Sequence, residues 1–179
     1  MSILRRTALI SFASALVAPA LGATQAPFDA PNVVEISPKL TTSGQPSAEA
    51  LSELAAREFG AVIYLAPPTV PNAVSDEALI VGRQGLSYLN IPIQFGNPTA
   101  QDFQTLASVL GAFKDRKVLV HCEANFRASS LMFLYGVLVQ NEDPQIAYEA
   151  VSRVWSPNGK WRQFIVGTLK ARGISFEPY

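Results

Sequence analysis

The chain has 179 residues, 14 basic and 14 acidic side chains, a formal net charge of zero and 49% hydrophobic residues. That is one globular domain, long enough to bury a real core. Without a basic stripe to neutralise phosphates the composition argues against a nucleic-acid partner. One Cys, one His and scattered carboxylates build no convincing metal site, so no cofactor is expected.

Residues 1–22 read as a signal peptide rather than as part of the fold. Arg5-Arg6 form a positive start, Thr7 to Val17 is an apolar, alanine-rich stretch, and small residues follow around Ala18-Pro19-Ala20 and Ala20-Leu21-Gly22, which puts cleavage within 20–26. The stretch is short of the roughly 20 residues that a membrane span needs. An uncleaved N-terminal anchor is the rival reading, and the Arg-Arg pair leaves the export route open. The expectation is an exported protein, periplasmic or secreted in a bacterium, with no stable membrane span after removal of the signal and a single domain over 27–179. An exported protein with one cysteine has no internal disulfide, so Cys122 is either a small buried apolar group or a reactive one.

After the Pro-rich lead Ala26 to Pro31, Val33 to Ile36 and Lys39 to Thr42 read as short strands, followed by the turn Ser43-Gly44-Gln45-Pro46. Ser47 is placed to cap a helix running to Phe59, with Leu51, Leu54 and Ala55 on one face and Gly60 as its stop. Ala61 to Leu65 reads as a buried strand, the proline-bearing stretch Ala66 to Ser75 as loop, Asp76 to Gln84 as helix and Leu86 to Ile93 as strand. Thr99 caps a helix from Ala100 to about Phe113, with Phe103, Leu106, Ala107 and Leu110 on its buried side. A strand, Lys117 to His121, leads through a loop into a helix beginning near Ala128. Asp143-Pro144 opens a helix through Val154, and a last helix runs from Lys160 to about Arg172. Strands alternating with helices predict an α/β sandwich with a partly parallel sheet.

The only histidine and the only cysteine are neighbours, His121-Cys122, at the end of the apolar run Val118-Leu119-Val120, and Arg127 follows after four intervening residues. A strand that delivers a thiol into a tight loop before a helix N-terminus builds an anion site, because free amides and the positive dipole end point into the loop. The same surroundings favour the nucleophilic thiolate. Arg127 is the candidate clamp, since its planar fork matches two oxygens of a tetrahedral oxyanion and a cation at a helix start is disfavoured unless an anion is present. The Glu123 carboxylate must point outward, which leaves only its N–H to help. Asn125 suits a left-handed position in mid-loop. Ser129 either hydrogen-bonds the thiolate or satisfies a carbonyl one turn back. His121 supports the loop by hydrogen bonding or is a satisfied core histidine. Asp102 completes a capping box with Thr99 rather than serving as an acid, and Asp76 and Glu77 have the ordinary explanation of carboxylates at a helix start.

His121-Cys122 with its downstream Arg resembles the signature loop of cysteine-dependent tyrosine phosphatases. Ile36 to Leu40, Ser43 to Ser47, Gly60 to Leu65, Tyr88 to Ile93 and Val120-His121-Cys122 together resemble a bacterial branch of the dual-specificity phosphatases, the phosphatase-like domain related to beta-lactamase-hydrolase proteins. The resemblance spans Val33 to Leu169. It implies a cysteine-phosphatase-like sandwich with a mixed, mostly parallel sheet of about four to five strands flanked by helices. It also implies hydrolysis of a phosphate monoester, on a phosphorylated protein or a small phosphate ester, through a phosphocysteine on Cys122, with Arg127 binding the phosphate and the backbone amides of Glu123, Ala124, Asn125, Phe126 and Arg127 lining the cradle. Three positions depart from the general phosphatase pattern. The loop has four residues between Cys and Arg rather than five, a length shared with rhodanese-type sulfurtransferases. Ala128 stands where Ser or Thr usually follows the Arg. The loop after Ile93, where an acid is often found, reads Gln94-Phe95-Gly96-Asn97. The competing functions are a sulfurtransferase carrying a persulfide on Cys122 and a non-catalytic binder of oxyanions or phosphoproteins.

Overall fold

The computed structural model describes residues 27–179; the expected signal segment lies outside the described residues. Five strands and six helices are formed among them: β1 (Val34–Ser37), β2 (Leu40–Ser43), α1 (Ala48–Ser52), β3 (Phe59–Tyr64), α2 (Glu77–Gly82), β4 (Ser87–Asn90), α3 (Ala100–Ala112), β5 (Lys117–His121), α4 (Phe126–Val139), α5 (Pro144–Ser152) and α6 (Gly159–Lys170). The sheet order is β1-β2-β5-β3-β4, with β1 antiparallel to β2 and the other neighbours parallel. This is the mixed, mostly parallel sheet expected from the sequence.

Side-chain alternation along the strands feeds two cores. Val62 and Leu119 pack on one face with Leu51, Leu54 and Val81 from the α1–α2 side. Ala61, Ile63, Val118 and Val120 face the other way, into the larger core with Phe103, Leu106, Leu131, Phe133, Tyr148, Trp161 and Ile165. Burying each such Leu, Ile or Phe contributes about 1.5–3 kcal/mol, and both faces are needed for a parallel sheet to close off its strands. Helix α4 is buried from Arg127 to Leu134 and again at Gly136 and Val137. An all-round apolar helix of this kind belongs in the centre of the layer, and α4 contacts α3, α5 and α6 there.

Helix α1 is much shorter than its apolar spacing suggests. Ser47 caps it as expected, accepting from the Ala50 amide. Beyond Ser52 the chain continues in turns, and Glu58, not Gly60, takes the left-handed conformation (φ 65°) while the Phe59 amide returns to the Leu54 carbonyl at 3.0 Å. That is the arrangement of a Schellman stop, so Gly60 is free to join β3, where its missing side chain admits Arg116: a Cβ there would lie 3.1 Å from the arginine Cβ. Strand β4 also stops early, at Asn90, whose side chain donates to the carbonyls of Tyr64 and Ala66, both at 2.9 Å. Helix α4 begins two residues before Ala128, at Phe126. Helices α2, α5 and α6 are trimmed by about a turn or less relative to their expected spans.

The parallel strands end level with one another. Ser43 and Tyr64 both pair with His121, and Tyr64 pairs with Asn90. Ligand crevices of open α/β sheets form outside such carboxyl ends, where strand order reverses. Cys122 is the next residue after that edge.

Candidate active site

Cys122 leaves β5 with no exposed surface, its amide donating to the Ser43 carbonyl at 3.2 Å. The loop then turns its carbonyls away from the thiol. Glu123 O accepts from the Gln45 amide and from Asn72 Nδ2, both at 3.2 Å, and Ala124 O accepts from Asn32 Nδ2 at 3.1 Å. Asn125 O accepts from the Ser129 amide at 2.9 Å and from its hydroxyl at 2.8 Å. In a trans peptide the C=O and the following N–H point in opposite directions, so outward carbonyls on Glu123 and Asn125 turn the Ala124 and Phe126 amides inward. Asn125 makes the bend with φ 68°, and its side chain ties the loop down by donating to Asn32 O at 2.6 Å and Thr42 Oγ1 at 3.0 Å. Of the two readings open for Ser129, the geometry gives the second, a hydroxyl satisfied one turn back.

Arg127 is buried in the first turn of α4, its Nε donating to the Ile93 carbonyl at 3.0 Å. That bond fixes the guanidinium from behind and leaves the two terminal nitrogens as its anion-facing donors. Its Nη1 lies 3.8 Å from Glu123 Oε2, and its carbon sits 5.1 Å from the centre of the Phe95 ring. Arg127, Phe95, Glu123, Ala124 and Phe126 line one depression of about 250 Å³. The acid-free loop Gln94 to Asn97 thus places an aromatic ring over the cation. Phe95 is held there by Trp161, whose indole N–H donates to its carbonyl at 2.9 Å. Phe126 stacks on Trp155 with centroids 4.6 Å apart and planes 8° apart, extending the aromatic rim.

Behind the loop lies a group of residues that sequence reasoning missed. Glu77, read as an ordinary carboxylate of a helix start, is buried; its Oε1 accepts from His121 Nε2 at 2.6 Å and its Oε2 from Gln45 Nε2 at 2.9 Å. A carboxylate only accepts, so the His121 proton on that side sits on Nε2. The correction has a plain cause: Glu77 lies 44 residues from His121, and only the fold brings them together. Tyr64 stacks on the His121 ring at 4.8 Å and donates its hydroxyl to Pro67 O at 3.3 Å. Burial pushes the Tyr64 phenol up to about 12, and the charges of Glu77 and Cys122 add to the effect. The one sequence signal for the group was the Gly-Gln-Pro turn. There Gly44 is required by close approach, since a Cβ would stand 2.9 Å from Pro31 Cβ and 3.1 Å from Glu123 O.

Asp102 is the capping-box residue expected, its Oδ2 accepting from the Thr99 amide at 2.8 Å and hydroxyl at 2.7 Å. Among the described residues no cluster of three or more His, Cys, Asp or Glu is placed to hold a metal. No described helix is long and apolar enough to cross a membrane.

Sheet order, with a thiol at the strand end and an arginine at the start of α4, is that of a cysteine-phosphatase-like α/β fold. The comparisons agree with that class and with the family resemblance read from the sequence. No family model matches the chain. A beta-lactamase hydrolase-like protein of Xylella fastidiosa is 31% identical over 110 residues, which are 59% of this chain and 25% of that protein. The chain therefore spans about a quarter of the length of the curated relatives it matches. Among solved structures, a DUF442 candidate phosphatase of Shewanella putrefaciens CN-32 aligns with a TM-score of 0.72 at 27% identity, over 80% of this chain and 92% of its own. Tk-PTP (TM-score 0.62, 23% identity, 79% of this chain and 95% of its own) and TpbA of P. aeruginosa (0.61, 20%, 80% and 92%) share the fold.

Proposed function

We propose that the chain hydrolyses phosphate monoesters through a phosphocysteine on Cys122. The observation that carries the reading is the pairing of a wholly buried thiol at the mouth of α4 with Arg127, a buried arginine whose Nε is already anchored to Ile93 O. The phosphoryl oxygens sit among the inward amides of Ala124 and Phe126 and the terminal nitrogens of Arg127. Cys122 attacks phosphorus as thiolate, the S–P bond forms as the bond to the ester oxygen breaks, and the oxygen leaves with a proton. Water then attacks phosphorus, breaks the S–P bond and returns inorganic phosphate and the thiolate. Amides and guanidinium stabilise the extra charge of each transition state, a contribution of about 10²–10³ in rate per donor in comparable oxyanion sites. His121 orients the loop from behind through Glu77.

The substrate is a phosphorylated protein or a small phosphate ester, supported by a TpbA structure in complex with pTyr and a PTPMT1 structure in complex with PI(5)P. Export to the periplasm or beyond is part of the same reading and rests on the charged and apolar character of residues 1–22. The four-residue loop keeps one second reading alive, sulfur transfer through a Cys122 persulfide. One panel separates them: hydrolysis of an aryl phosphate and transfer of sulfur from thiosulfate to cyanide, each repeated with Cys122→Ser. Cys-dependent hydrolysis blocked by vanadate supports the phosphatase. Sulfur transfer without hydrolysis replaces it by the second reading.

A further inference from the structure

We infer that Glu123, the residue directly after the nucleophile, is the general acid of this site, a role that rests on the phosphatase reading above. The expected location of an acid, Gln94 to Asn97, holds no carboxylate. Two other candidates, Glu77 and Asp102, are already committed. Both oxygens of Glu77 are hydrogen-bonded in the buried network behind His121. Asp102 Oδ2 is held by the amide and hydroxyl of Thr99. Residues 1–26 contain no Asp or Glu, so the undescribed segment brings no further candidate.

Glu123 differs from these in every respect that matters. It is the carboxylate among the residues lining the depression with Arg127. Its side chain is 42% exposed, so it can exchange protons with solvent. Its backbone is fixed by two hydrogen bonds to its carbonyl, from Gln45 and Asn72, so the side chain swings about a stationary base. With the site free, its carboxylate faces the Arg127 Nη1 at 3.8 Å, a loose pair across one helical turn. A phosphoryl group seated on Arg127 takes that partner away. The leaving oxygen of an in-line attack points away from Cys122, out of the cradle and into the depression whose wall carries Glu123.

In the first step the S–P bond forms, the P–O bond to the leaving group breaks, and the Glu123 carboxylic proton passes to the departing oxygen. In the second step the Glu123 carboxylate takes a proton from water as that water attacks phosphorus and the S–P bond breaks. The carboxyl group ends protonated and Cys122 ends as thiolate, so the cycle closes without a further reactant.

Leaving-group dependence tests the role. A poor leaving group needs the proton and a good one needs it far less, so kcat/KM is measured for phenyl phosphate and p-nitrophenyl phosphate with the wild type, Glu123→Gln and Glu123→Asp. General acids supply about 10²–10⁴-fold in rate, so Glu123→Gln is expected to lose about 100-fold on phenyl phosphate and at least about tenfold less on p-nitrophenyl phosphate, with partial recovery in Glu123→Asp. Vanadate inhibition is expected to stay as strong in Glu123→Gln as in the wild type. Equal losses on both esters, or a loss of vanadate affinity in step with kcat/KM, overturn the assignment, because Glu123 then acts only on the cradle. A wild type without Cys122-dependent turnover of either ester overturns the phosphatase reading and this role together, an outcome distinct from equal losses.

Discussion

Glu77 and His121 meet at 2.6 Å although each is almost fully withdrawn from solvent, and Gln45 closes the other side of the carboxylate at 2.9 Å. A buried carboxylate and a buried imidazole are tolerated only when each satisfies the other. His121 directly precedes the nucleophile, so its orientation, and with it the start of the loop, depends on a residue of helix α2.

Removing one partner should therefore be costly. Glu77→Ala leaves His121 Nε2 and Gln45 Nε2 without their acceptor in a dry interior, and a loss of about 3 kcal/mol or more is expected. Urea unfolding of the two proteins measures it. A change within about 0.5 kcal/mol, the scatter of neutral surface substitutions, contradicts the role given to the pair.

Arg127 differs from a generic cation by its anchor on Ile93 O and its two remaining fork nitrogens. Arg127→Lys keeps the charge and loses both, so kcat/KM for an aryl phosphate should fall about 100-fold or more, with the fold intact by circular dichroism. A variant within about threefold of the wild type would mean that charge alone suffices at this position.

Asn125 carries both the left-handed bend at φ 68° and the two side-chain bonds to Asn32 and Thr42. Asn125→Ala loses the bonds and strains the backbone, for an expected cost of about 2–3 kcal/mol. Asn125→Gly relieves the strain but not the lost bonds and should fall between the two proteins in thermal or urea unfolding. Equal destabilisation by Ala and Gly would show that the conformation itself contributes little.

Alkaline stability follows from Tyr64. Its phenol is held up to about 12 in the folded state against an ordinary value of 10.0, so the unfolded chain gives up its proton first. Tyr64 thus contributes stability that is complete below pH 10 and is lost as pH rises towards 12. Tyr88 and Tyr148 are raised too, chiefly by burial, and act in the same direction. Unfolding free energies measured from pH 9 to 12 should decline, and the decline should be shallower in Tyr64→Phe, which has no proton to lose. Parallel curves for the two proteins contradict the assignment.

Much of this site was legible along the chain because its parts are contiguous. An apolar run, His121-Cys122, a short loop with Asn125, Arg127 and a helix spell out strand, cradle and clamp in eleven residues, 117–127. The capping box at Thr99 and the caps at Ser47 and Asp143 were equally readable, since each is settled within one turn. What escaped was decided at long range. Apolar spacing at Leu51, Leu54 and Ala55 suggested a helix through Phe59, yet the left-handed Glu58 and the pairing of Phe59 with Lys117 ended it. Glu77 looked like a cap carboxylate because its partners lie 32 and 44 residues away. The aromatic rim joins Phe95, Phe126, Trp155 and Trp161 from four separate segments, a grouping that no local pattern reveals.

The central claim is a covalent bond between Cys122 and phosphorus. Rapid acid quench of the full chain during turnover of p-nitrophenyl phosphate, followed by mass spectrometry of the peptide containing Cys122, tests it directly. The account predicts a phosphoryl group on Cys122, and neither that adduct nor turnover in Cys122→Ser. Turnover that persists in Cys122→Ser, or wild-type turnover that leaves Cys122 unmodified while it accumulates sulfur from thiosulfate, contradicts it.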